Sequence, residues 1–194
     1  MTLKQYLKSV EACEPAVEWA GNKIIEEVVE TCHQGDWLLW LARKCDIELQ
    51  PLTLAKGHCA NTVRHLMNDE RSIRAVDVAI AFGEGKATRE ELDTAAADAY
   101  AASHAHAHAH AAAAAAVAAY YAVAATVIPS AAASSAAYAT ACAAADAAAN
   151  AADGTDAADA ADAAADANRM QTADICRKYI GELIIKKVNQ ILTL

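Results

Sequence analysis

The block from Ala95 to Ala167 holds 43 alanines in 73 residues, and no other feature limits the fold as strongly. Alanine has the highest intrinsic helix propensity, so such a stretch becomes helical before any packing. A methyl group buries little apolar area and adds little to a core. What it allows is a close approach of helix backbones, near the lower end of the usual ~8–10 Å spacing. The block therefore predicts Ala-rich helices packed close and antiparallel. Tyr100, Tyr120, Tyr121, Tyr138, Val117 and Val123 are the occasional larger groups that would set register. Aromatics make up 5% of the 194 residues, with 3 Pro and 7 Gly, which argues against a β-rich or Pro/Gly-rich chain.

Capping and breaking residues divide the chain further. Thr2 opens a first helix whose Leu3, Tyr6, Leu7 and Val10 form one stripe. Pro15 suits the first turn of a second. Asn22 is expected to cap the helix after it, with Gly35 as its stop. Asp36 is expected to cap a helix holding Trp37, Leu38, Leu39, Trp40 and Leu41. Further helices are predicted over about 51–66 and 71–82, ended by Gly83-Glu84-Gly85. Thr88 with Glu91 matches a capping box, and the helix it opens is expected to reach about Val127 before Pro129 ends it. Ser130 opens the next, and Gly154-Thr155 separates it from an amphipathic last helix with Ile180, Leu183, Ile184, Val188 and Ile191 on one side. The expected architecture is all-α, with a short-helix N-terminal region (1–85) packed on a long Ala-rich antiparallel hairpin or bundle (86–194) as one unit.

Charge narrows the partners. The Ala-rich block carries seven Asp and no Lys or Arg, so it supplies most of the net charge of −9. Duplex DNA needs clustered cations to neutralise phosphates, so nucleic acid is not an expected partner. An acidic chain can instead steer a basic protein. Between Ala99 and Ala145 no residue carries a formal charge. That length could hold two membrane spans, but alanine drives insertion weakly and four His and four Ser interrupt it, so a packed hairpin is preferred. Six scattered cysteines without a Cys-x-x-Cys pair read as small core residues of a cytoplasmic protein.

Few residues form a pattern that chemistry would require. His104, His106, His108 and His110 alternate with Ala, and on a helix His104 and His108 share a face, a weak two-ligand metal candidate. Cys32-His33 and His58-Cys59 could together make a zinc site, but sequence neighbours on a helix point apart. No nucleophile elbow, Walker loop or dinucleotide fingerprint occurs, so no catalytic residue and no cofactor is expected, and an enzyme is not the reading. Trp19, Trp37 and Trp40 remain. Trp37 and Trp40 share a helix face, as a tryptophan-anchored core or as a binding anchor.

Three segments carry a resemblance: Ala12-Cys13-Glu14-Pro15-Ala16-Val17-Glu18-Trp19, Gly35-Asp36-Trp37-Leu38-Leu39-Trp40-Leu41, and Gly85-Lys86-Ala87-Thr88-Arg89-Glu90-Glu91-Leu92 leading into the Ala tract. The chain resembles a bacterial and phage immunity-protein family of the type-five-like group, whose members continue into Ala repeats broken by Tyr or Asp. The His-Ala run departs from that pattern. The resemblance implies a non-catalytic protein that neutralises a toxin or defence-related protein by binding it. The alternative is a phage anti-defence protein that sequesters a small ligand such as a nucleotide signal. For either, the expected contact residues are Asp36, Trp37, Trp40, Trp19 and Glu14, and a homo-oligomer is compatible with both.

Overall fold

A computed structural model describes residues 1–105, 110–124, 131–152 and 156–193. Among the described residues the structure is helical and contains no strand. The short helices are α1 (Leu3–Ser9), α2 (Glu14–Ala20), α3 (Ile25–Thr31), α4 (Gly35–Lys44), α5 (Leu49–Asn61) and α6 (Glu70–Gly83), with a 3₁₀ turn at Arg64–Leu66. The Ala-rich half contributes α7 (Arg89–Ala105), α8 (His110–Val123), α9 (Ala131–Ala151) and α10 (Ala157–Cys176). A π turn, Arg177–Gly181, joins α10 to the last helix, α11 (Glu182–Thr193). No described helix is long and apolar enough to cross a membrane.

Several starts are fixed by side chains that the sequence marks. Thr2 Oγ1 accepts from the Gln5 amide at 3.2 Å while Gln5 Oε1 accepts from the Thr2 amide at 2.9 Å. Thr88 and Glu91 form the same reciprocal pair at α7, and Pro15 lies in the first turn of α2. Other expectations are corrected. Ile24, not Asn22, precedes α3, and its amide donates to Glu27 Oε2 at 3.2 Å. Gly35 does not stop α3 but begins α4. A Cβ there would lie 2.4 Å from Thr172 Oγ1, so glycine is required by the approach of α10. Asp36 sits inside the first turn of α4, with Gln34 at the capping position.

The long helix expected from Thr88 to about Val127 is two helices folded against each other. The rings of Tyr100 and Tyr120 lie 5.5 Å apart, whereas twenty residues of continuous helix would separate them by about 30 Å. Pro129, Ser130 and the Gly154-Thr155 break lie outside the described residues, as does His108. The side chain of His104 is likewise outside the description, so the His104/His108 pair has no geometry here.

Two apolar clusters share the interior. One joins α1–α5 to α9, α10, the π turn and α11 around Ile25, Leu38, Leu39, Ile180 and Ile184. The other packs α6–α9 around Val63, Val76, Leu92, Val123 and buried alanines. The 85/86 division therefore separates compositions and not cores: α11 returns to pack on α3 and α1. Leu183, expected on the apolar side of α11, is exposed, while Ile184 and Val188 are buried.

Between α9 and α10 the pairing is antiparallel, since Thr140 meets Asn168 while Ala144 and Ala147 face Ala164 and Ala167 across a shared cleft. Asn168 is buried there. Its Oδ1 accepts from Thr140 Oγ1 at 2.7 Å and its Nδ2 donates to Thr62 Oγ1 at 3.0 Å. Lys56 of α5 is fully enclosed, and its Nζ donates to the carbonyls of Tyr121 (3.0 Å) and Ala124 (3.4 Å) at the end of α8. Carbonyls in the last turn of a helix generally lack intrahelical donors, and the helix dipole favours a cation beside them. Burial still pulls the Lys56 ammonium down to about 7.

The π turn has a comparable purpose. It places Arg177 so that Nη1 donates to the Cys32 carbonyl at 2.6 Å, covering the end of α3, and lays Tyr179 on His58 at 4.5 Å.

Candidate binding site at the tryptophan cluster

Helices α2 and α4 meet so that their large side chains surround a pocket of about 210 Å³. Trp19 comes from α2, Trp37 and Trp40 from α4, and Leu7, Val28, Leu38 and Leu41 complete the apolar wall. The three indoles are half-buried. Trp19 and Trp37 meet edge to face with centroids 6.0 Å apart and planes at 61°, a geometry that aromatic quadrupoles favour. His33 approaches Trp19 edge-on at 6.1 Å. Outside the pocket lining, Lys23 Nζ lies 4.2 Å from the Trp19 ring centroid and Lys44 Nζ 5.4 Å from that of Trp40, both within cation–π range.

Asp36 supplies the carboxyl among the lining residues. Burial raises its carboxyl above the usual carboxylate range, opposed by the amides of Trp37 and Asp36 itself and, more weakly, by the Arg169 guanidinium on α10. It forms no ion pair among the described residues. Arg169 is held by Asp166. Two thiols also line the pocket: Cys13, exposed, and Cys32, buried, whose Sγ donates to the Gln34 carbonyl at 3.4 Å. Burial pushes the Cys32 thiol up to about 11, which keeps it protonated and unreactive.

Of the five contact residues expected from the sequence, Trp19, Asp36, Trp37 and Trp40 share this pocket. Glu14 does not line it; it is exposed at the start of α2, next to Cys13. Sequence reasoning misses Cys13, Cys32, Leu7 and the approach of Arg169. Only tertiary packing brings them here, and their spacing carries no signal.

The other chemical candidates disperse. His33 faces Trp19 and His58 stacks on Tyr179, while Cys32 and Cys59 are buried. The two Cys-His pairs therefore split, sulfur inward and imidazole outward. No group of three or more metal-ligating side chains occurs among the described residues. Lys56 is unusual in its proton affinity but is only 2% exposed, with its ammonium turned to backbone carbonyls.

No family model matches the sequence, and no curated protein or solved structure does either.

Proposed function

We propose that the chain is a non-catalytic binding protein of the immunity type, which neutralises a toxin or defence-related protein through the tryptophan pocket. One observation carries this reading: three half-buried indoles and a carboxyl surround a pocket of about 210 Å³ in a chain with few aromatics. Sites for drug-sized ligands run to roughly 300–1,000 Å³. A pocket smaller than these suits one anchoring side chain of a protein partner, and Trp is enriched at such hot spots. Exposed Glu14 and Glu18 on α2, with a net charge of −9, favour a basic partner.

The nucleotide reading draws less support from the same pocket. Its lining contains no Lys or Arg to meet phosphate, and Asp36 would repel it. Purification under native conditions followed by mass spectrometry separates the two: a stoichiometric basic protein is expected, released by Trp37→Ala. A bound nucleotide with no protein would overturn the proposal.

A further inference from the structure

The pocket combines indole walls with a carboxyl that makes no ion pair among the described residues. Asp36 is half-buried, its own ion pair is absent among the described residues, and Arg169 is engaged by Asp166. Removing a carboxylate from water without a paired cation is costly, so an incoming cation is favoured there over a purely apolar group. The rings themselves attract cations. Lys23 and Lys44 lie against Trp19 and Trp40, yet neither lysine lines the pocket.

We infer that the pocket receives the guanidinium of an arginine presented by a basic protein partner, its plane against the indoles and its N–H fork on Asp36. The inference rests on the reading of this pocket as the protein-binding surface and adds the chemistry of the anchor. Guanidinium is planar, weakly hydrated, stacks on aromatic faces and pairs with a carboxylate through two parallel hydrogen bonds. Lysine brings a strongly hydrated point charge into an apolar pocket. Quaternary ammonium satisfies the rings but has no N–H to donate to Asp36. Leucine fills the space and leaves the carboxylate uncompensated.

The test titrates the full chain with N-acetyl-arginine amide, its uncharged isostere N-acetyl-citrulline amide, N-acetyl-leucine amide and choline, each to its solubility limit. Two signals are read: Trp emission, and alkylation of the exposed Cys13 thiol at the pocket edge. The arginine probe is expected to shift emission saturably, slow Cys13 alkylation, and bind about tenfold or more tighter than the citrulline and leucine probes. Asp36→Asn should remove most of that preference with the helical spectrum unchanged, and the citrulline arm tests the same charge requirement without any variant. Leucine or citrulline binding as tightly as arginine would overturn the arginine anchor and leave an apolar protein-binding pocket. Choline binding tightest would overturn it in favour of a quaternary ammonium ligand. No effect of any probe on emission or alkylation would overturn both this inference and the proposed binding surface.

Discussion

The N-terminal region and the Ala-rich helices solve opposite packing problems. Around α1–α4 large side chains meet at short helices, and their uneven shapes leave a pocket walled by indoles. Along α8–α10 the interface is mostly methyl groups, and specificity comes from a few inserted polar groups: Lys56 at the end of α8 and Asn168 between Thr140 and Thr62. Large side chains leave an indole-walled pocket, whereas methyl groups permit close approach of helix backbones.

Breaking the large-residue core should have the greatest effect. Leu39 is fully buried, and Leu39→Ala should cost ~2–5 kcal/mol in denaturant unfolding. In the Ala-rich half the damaging change is the reverse one. Ala143 is fully buried on α9, and Ala143→Leu should cost ~1–3 kcal/mol by overpacking. Its neighbour Ala144 lines the open cleft facing Ala164 and should accept leucine with little loss. Equal tolerance at both positions would break the comparison.

Asn168→Ala should cost ~1–3 kcal/mol, since it leaves Thr140 and Thr62 without their amide partner. Its effect should appear in the same unfolding midpoints.

Lys56 supplies the pH-dependent test. Its pKa falls from 10.5 to about 7 on folding, so between these values the unfolded chain binds more protons than the folded one. Stability therefore rises with pH above about 7, by up to ~1.4 kcal/mol per unit from this group. The window of interest is pH 7 to about 7.7, below the ordinary thiol value of about 8.5. Raised thiols such as Cys32, Cys45 and Cys176 oppose the trend increasingly as pH approaches that value. Lys56→Met should flatten the rise, read as urea midpoints across that window; an unchanged slope would exclude Lys56 as its source.

Helix content and many starts are legible in the sequence because they depend on local chemistry. Thr2 with Gln5, Thr88 with Glu91, and Pro15 act within four residues of themselves. Gly35 reads as a helix stop in the sequence because its actual reason, Thr172, lies on another helix. The reversal between α7 and α8 is invisible there because alanine propensity does not distinguish one long helix from two folded together. Three indoles stand out as an anomaly of composition, and the convergence of two of them with Asp36 follows from the spacing on α4. Cys13, Cys32 and Arg169 join them only through packing.

The most direct measurement is the affinity of the partner captured under native conditions for two variants of the full chain. Trp37→Ala should weaken binding by at least ~2 kcal/mol with helical circular dichroism intact. Ala163→Gln, on the exposed side of α10, should change it by no more than ~0.5 kcal/mol. Loss of binding in Ala163→Gln with full retention in Trp37→Ala would place recognition on the alanine helices and contradict the tryptophan pocket as the binding site.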